Sequence, residues 1–72
     1  METVLYTVKE VSELFHTNPT YIYALIRAGL LPALKLGSYK IRREAVDDFL
    51  RRYEGKDLSD PEEFVKNQTD AP

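Results

Sequence analysis

Apolar residues recur at helical spacing near the start of the chain. The positions that share this spacing are Val8, Val11, Leu14 and Phe15. They predict a short helix over about residues 8–15 with one buried face. Thr7 and Glu10 have the spacing of a capping box, so we expect the helix to begin directly after Thr7.

A second helix is predicted immediately afterwards. Asn18 is a favourable N-cap residue, Pro19 suits the first helical position, and Gly29 suits the C-terminal end. The buried stripe is formed by Ile22, Leu25 and Ile26. Two short helices joined by a brief turn at His16-Thr17 indicate a helix-turn-helix, although such turns usually contain glycine.

The period changes from helical to alternating after Pro32. Residues 34–36 and 39–42 alternate apolar and basic side chains around Gly37-Ser38, which is typical of a β-hairpin. With a two-residue turn, Leu34, Leu36, Tyr39 and Ile41 would share one side, and Lys35, Lys40 and Arg42 the other. Tyr39 is expected to be partly buried.

A third helix is predicted over about residues 44–53, from the spacing of Val46, Phe49, Leu50 and Tyr53, with Gly55 ending it. The predicted fold is therefore mainly α with a small β-hairpin, a winged helix-turn-helix of three helices and a two-stranded wing. We expect this domain to span residues 1–55. Residues 56–72 would form an acidic, mostly flexible tail, in which Asp60 and Pro61 can start one or two turns of helix through Phe64 and Val65.

The 72 residues are too few for the common enzyme scaffolds, and the lack of cysteine excludes disulfides and thiolate zinc sites. No apolar run is long enough to span a membrane and no signal peptide is evident, so we expect a cytoplasmic protein without a membrane partner.

The formal net charge of −2 hides an asymmetry. Residues 1–53 carry eight cations against six anions, whereas residues 54–72 carry two against six. Residues 27–43 hold five cations and no anion, which favours a basic working face.

Catalysis has little support in the sequence. His16 is the single histidine, and no nucleophile stands in a recognisable pair with it. The adjacent acids Asp47-Asp48 and Glu62-Glu63 diverge by about 100° on a helix and fit a solvated helix face better than an acid–base pair. The three glycines are isolated, so no phosphate-binding loop is present. We therefore predict no catalytic residues, no metal ligands, no cofactor and no enzyme activity.

The second helix carries the most informative surface. Thr20, Ala24 and Arg27 lie opposite its buried stripe, flanked by Tyr23 and Ala28, with Tyr21 at the margin. A side without acids, with small residues and a terminal arginine, fits the major groove of DNA. A solvent-exposed helix side with one unremarkable arginine is the alternative. The basic hairpin favours the DNA interpretation, because a wing can contact phosphates while the helix occupies the groove.

The order of these segments resembles the excisionase-type winged helix-turn-helix domain, which is related to the DNA-binding part of MerR regulators. The segments that carry the resemblance are Leu5–Val11, Tyr21–Gly29, Leu31–Gly37 and Tyr39–Glu44 with Phe49-Leu50. The resemblance implies a recognition helix over residues 18–28 and a wing tip at Gly37-Ser38. Ala24 stands where many members carry arginine, and the wing is about one residue shorter, without the usual arginine after Gly37.

The resemblance implies a duplex DNA-binding protein, either a recombination directionality factor or a small transcriptional regulator, often encoded by mobile elements. Its partners would be double-stranded DNA and, for some members, an integrase or neighbouring copies of the same chain. An adaptor that keeps the fold, binds proteins and has lost DNA binding is the alternative. The candidate DNA-binding residues are Asn18, Thr20, Tyr21, Tyr23, Ala24, Arg27, Lys35, Ser38, Lys40 and Arg42.

Overall fold

The computed structural model describes residues 4–69, and the side chains of residues 4–66. The elements follow in the order β1, α1, α2, β2, β3, α3 and α4. The strands are β1 (Leu5–Thr7), β2 (Leu34–Leu36) and β3 (Ser38–Arg42). The helices are α1 (Val8–Leu14), α2 (Pro19–Arg27), α3 (Arg43–Arg52) and α4 (Pro61–Thr69). Four helices and a small three-stranded antiparallel sheet therefore form the described part of the chain.

The helix starts follow the capping residues in the sequence. The Thr7 hydroxyl accepts a hydrogen bond from the Glu10 backbone N–H at 3.1 Å, and the Glu10 carboxylate accepts one from the Thr7 N–H at 2.8 Å. This confirms the predicted capping box. The predicted turn before α2 contains a left-handed residue, as turns of this kind usually do, but the residue is His16 with φ of 57° rather than a glycine.

The sequence prediction of three helices and two strands is wrong by one element of each kind. β1 is the missed strand, because three residues are too few to show an alternating pattern and its partner β3 is distant in sequence. The helix that the fold prediction leaves out is α4, which begins at Pro61 as the sequence indicates but continues for nine residues instead of one or two turns. Phe64 packs edge-on against Tyr53 at 5.7 Å between ring centroids, a tertiary contact that no local pattern reports.

The sheet has the order β1-β3-β2, so β3 is its central strand. Leu5 pairs with Arg42 and Thr7 with Lys40 on one side of β3. Leu34 pairs with Lys40 and Leu36 with Ser38 on the other side. The hairpin turn is therefore Gly37 alone, with φ of +79°.

This register corrects the predicted sides of the hairpin. Directly opposed residues of an antiparallel pair lie on the same face, and a shift of one residue moves every side chain to the other face. Lys35 therefore lies with Tyr39 and Ile41 on the inner sheet face, which packs on the helices. Leu34 and Leu36 lie on the opposite face with Lys40 and Arg42, instead of with Tyr39 and Ile41. We call that opposite side the outer sheet face; its members are Leu5, Thr7, Leu34, Leu36, Ser38, Lys40 and Arg42.

The core lies between the inner sheet face and the first three helices. Its buried residues are Val8, Val11, Ile22, Leu25, Leu31, Ile41, Val46 and Phe49. Phe15 stacks on Phe49 at 5.4 Å, and Phe49 contacts Tyr53 at 5.0 Å. The backbone carbonyl of Val4 accepts a hydrogen bond from the Arg43 N–H at 3.1 Å, so the chain before β1 caps the start of α3.

Candidate nucleic-acid interface

Both ends of α2 are fixed by short-range hydrogen bonds. The Asn18 side chain accepts a bond from the Tyr21 N–H at 2.9 Å, which confirms the predicted N-cap. At the other end the Leu30 N–H donates to the Leu25 carbonyl at 3.0 Å, and the Gly29 N–H donates to the Ile26 carbonyl at 3.1 Å. These two bonds are those of a Schellman motif, with Gly29 in the required left-handed conformation. α2 is thus a helix of defined length.

The structure gives α2 one buried side and one exposed side. Ile22 and Leu25 are fully buried. The predicted site residues Asn18, Thr20, Tyr23 and Arg27 are exposed, and Ala24 is half-buried among them. Among these residues there is no carboxylate, so the exposed side of α2 presents hydroxyls, an amide and a guanidinium.

Two tyrosines connect the exposed side of α2 to the hairpin. The ring of Tyr23 meets the ring of Tyr39 edge-on, with 6.0 Å between centroids. On the hairpin, the Lys35 ammonium lies 4.4 Å from the centroid of the Tyr39 ring. Cations are attracted to aromatic faces at this distance. Tyr39 is half-buried, as expected, and aligns α2 and the hairpin so that Tyr23 and Lys35 lie on one continuous surface.

The predicted hairpin contacts are divided between two faces. Lys35 lies on the inner sheet face, on the side of α2, whereas Ser38, Lys40 and Arg42 lie on the outer sheet face. The Lys40 ammonium donates to the Ser38 hydroxyl at 2.6 Å, and the Arg42 Nε lies 3.8 Å from a Glu44 carboxylate oxygen. The structure therefore brings Lys35 together with α2 and does not bring Lys40 or Arg42 to the same surface.

Tyr21 points away from the hairpin. Its hydroxyl donates a hydrogen bond to the backbone carbonyl of Leu58, which anchors the segment before α4 to α2. Burial, and secondly the nearby Asp57 carboxylate, raise the pKa of the Tyr21 phenol above 10.0. Hydrogen bonds from the Ser59 hydroxyl and backbone N–H lower the pKa of the Asp57 carboxyl. No residue pattern in the sequence indicates this contact, because a backbone carbonyl is its acceptor.

Arg27 lies where α2 meets α4. It lines a shallow groove with Ala28, and with Glu62, Val65 and Lys66 of α4. Glu62 is thus a carboxylate close to the cation that ends the exposed side of α2. The acidic C-terminal segment therefore borders α2 at Tyr21 and at Arg27, while the hairpin borders it at Tyr23.

Residues 4–69 contain no helix long and apolar enough to cross a membrane. Within the same residues, no group of three or more His, Asp or Glu side chains is placed to hold a metal ion.

Two short helices joined by a tight turn, the second with an exposed side free of acids, form a helix-turn-helix, an arrangement found in many DNA-binding proteins. Residues 5–54 match the family model described as a helix-turn-helix domain, and the chain belongs to that family. Such domains are typically DNA-binding modules without enzyme activity. The chain has no significant match among curated proteins or solved structures.

Proposed function

We propose that this protein binds duplex DNA with α2 in the major groove and the β2–β3 hairpin as a wing against the backbone or minor groove. The observation that carries the proposal is the contact between Tyr23 and Tyr39, with Lys35 held over the Tyr39 ring. This contact places the exposed side of α2 and the near face of the hairpin on one surface. A helix and a wing held in fixed relation can contact the groove and the flanking phosphates together.

Each element of that surface has a distinct role. Arg27 can donate to a guanine edge or to a phosphate, and Thr20 and Tyr23 have hydroxyls that suit phosphate oxygens. Asn18 caps the start of α2, and the small side chain of Ala24 allows the helix backbone to approach the DNA closely. Lys35 adds positive charge at the wing. Lys40 and Arg42 lie on the outer sheet face, away from α2. Of the two, only Lys40 is near the tip of the hairpin. Both therefore contribute less to DNA binding than Lys35 in this proposal.

The proposed biological role is that of an excisionase-type recombination directionality factor or a small transcriptional regulator. Its support is the ordered resemblance over about residues 4–53, which includes the α2 segment and the hairpin. An integrase or neighbouring copies on DNA are the corresponding protein partners. The one-residue turn at Gly37 shortens the wing relative to that family and leaves out a cation that is usual after the glycine. The affinity of one domain for DNA would then be modest, and binding by several copies together would increase it.

A binding titration with matched variants tests the proposal. Fluorescence anisotropy with a labelled mixed-sequence duplex is recorded at low and moderate salt for the full chain, Arg27→Ala and Arg51→Ala. Arg51 is the control because it lies two positions from buried Phe49, on the far side of α3. We expect Arg27→Ala to cost about 1–3 kcal/mol of binding free energy, or to reduce the salt slope by about one if it contacts phosphate. Arg51→Ala should have little effect.

The adaptor alternative makes the opposite prediction for the same titration. An adaptor without DNA binding would show no anisotropy change even at low salt, where non-specific binding is strongest. Backbone amide NMR with the same duplex then localises the surface. Shifts confined to α2 and residues 35–39 agree with the proposal, whereas equal losses in Arg27→Ala and Arg51→Ala, with scattered shifts, would contradict it.

A further inference from the structure

The outer sheet face is apolar at its edges and basic along its centre. Leu5 is 38% exposed, Leu34 42% and Leu36 59%. Leu34 and Leu36 come from β2, Leu5 comes from β1, and Lys40 and Arg42 lie on β3 between them. The described strand residues on this face include no carboxylate. Exposed apolar side chains grouped on one face of so small a domain indicate a binding surface rather than isolated surface leucines.

A groove continues this face toward the start of α3. Leu34 and Arg42 form its sheet side, and Pro32, Ala33 and Ala45 give it apolar walls, with a volume of ≈ 380 Å³. Glu44 and Asp48 line its far side. The groove can accept one apolar side chain beside Leu34, while groups that lie over β3 would meet Lys40 and Arg42.

Charge decides which partner fits. A second copy placed face to face would set Lys40 and Arg42 against the same cations, and like charges in contact are unfavourable. A segment with apolar side chains and flanking carboxylates would instead bury the leucines, pair with Lys40, and replace Glu44 beside Arg42, where the existing ion pair is exposed and long at 3.8 Å. DNA can neutralise the cations, but its phosphates gain nothing from three exposed leucines.

We propose that the outer sheet face docks a segment of another protein in which leucine-sized apolar residues are flanked by Asp or Glu. One apolar side chain of the partner occupies the groove beside Leu34, and its carboxylates pair with Lys40 and Arg42. This surface lies across the sheet from Lys35 and Tyr39, so the protein partner and the proposed DNA duplex bind on different sides. The inference does not depend on the proposed DNA binding, because an adaptor would use the same face.

A displayed library of short random peptides, selected on the immobilised full chain, tests this proposal. We expect the enriched peptides to combine Leu, Ile or Phe with an excess of Asp and Glu. Their affinity should fall at least about tenfold for the double variant Leu34→Ser/Leu36→Ser and for Lys40→Glu/Arg42→Glu, as expected when the centre of an interface is removed. The matched control is Leu14→Ser/Leu50→Ser, since Leu14 and Leu50, which the helical spacing places with the buried residues, are in fact about as exposed (51% and 50%) but lie on helices. That control should bind the peptides as the parent chain does.

Several results would overturn the proposal. The proposed docking surface would be wrong if the enriched peptides had no excess of Asp and Glu, or if they bound Leu34→Ser/Leu36→Ser as tightly as the parent chain. A selection without any enrichment would also contradict it. Loss of duplex affinity in the leucine variant would assign the face to DNA. Dimerisation of the parent chain in sedimentation equilibrium, abolished by the same variant, would assign it to a second copy. Circular dichroism of each variant establishes that the fold is retained.

Discussion

The two faces of the sheet share the central strand β3 but differ in burial and in the side chains that they present. The inner sheet face buries Ile41 completely and holds Tyr39 against Tyr23. The outer sheet face exposes Leu34 and Leu36 beside Lys40. Successive residues of one strand thus serve the core and the solvent in turn. The comparison shows that the chemistry of this hairpin depends on its register as much as on its composition.

The largest expected difference between the faces is in stability. Ile41→Ala removes a fully buried side chain from the inner face and should lower the free energy of unfolding by about 3 kcal/mol. A core of this size rarely provides more than about 3–5 kcal/mol, so the variant should be close to unfolding. Leu36→Ala on the outer face should change it by less than about 0.5 kcal/mol. Urea denaturation followed by circular dichroism measures both, and equal losses would contradict the assignment of the faces.

The turn that sets the register gives the next effect. Gly37→Ala places a Cβ at a φ of +79°, where no heavy atom beyond the two neighbouring residues lies within 4 Å, so the cost comes from the backbone conformation. We expect a loss of about 1–2 kcal/mol in the free energy of unfolding. Asn tolerates this conformation better, so Gly37→Asn should lose clearly less. If the two variants unfold at the same urea concentration, the left-handed turn is not what defines the hairpin.

A smaller effect is expected from Tyr21, the tyrosine of α2 that turns away from the hairpin. Tyr21→Phe removes the hydrogen bond to Leu58 and should cost about 1 kcal/mol, without the change in hairpin NMR shifts that Tyr23→Phe or Tyr39→Phe would cause.

The same hydrogen bond has a pH dependence. Because folding raises the pKa of the Tyr21 phenol above 10.0, the folded state holds this proton more tightly than the unfolded state does. The contribution of the protonated Tyr21 phenol to the free energy of unfolding is complete below pH 10 and is lost as the pH rises through the folded-state pKa. Stability measured from pH 8 to about 11 should fall more steeply for the parent chain than for Tyr21→Phe. Parallel curves would show that this phenol does not titrate differently on folding.

The smallest predicted change concerns DNA binding and compares two lysines of one hairpin. Lys35→Ala should reduce the salt slope of duplex binding by about one unit, because Lys35 lies on the side of α2. Lys40→Ala should reduce it less, since Lys40 lies on the outer sheet face. Salt titrations of both variants against the same duplex make the measurement. A larger change for Lys40→Ala would place the proposed DNA contact on the outer face.

The sequence predicts the local parts of this fold well and the tertiary parts poorly. The caps at Thr7 and Asn18, the stop at Gly29 and the position of the hairpin all follow from neighbouring residues, and the structure confirms them. The predicted faces of the hairpin are wrong, because the alternating pattern alone does not distinguish a one-residue turn from a two-residue turn.

The candidate site shows the same division. The exposed side of α2 follows from helical periodicity, and burial agrees with it. The contacts between Tyr23 and Tyr39 and between Tyr21 and Leu58 join segments distant in sequence, and no spacing rule reports them. The full length of α4 also does not follow from the local sequence, because it involves a contact between segments, that of Phe64 with Tyr53.

The pairing of β1 with β3 has a consequence for the order in which the chain folds. The β2–β3 hairpin closes a very short loop, whereas Leu5 must meet Arg42 across both helices of the helix-turn-helix. Closure of the longer loop has the greater entropic cost, and contacts distant in sequence form slowly. We therefore expect β1 to join the sheet after the β2–β3 hairpin has formed, when α1 and α2 have brought it close to β3. During synthesis on the ribosome, β1 cannot pair within this sheet until β3, its only neighbour among the described strands, has been made.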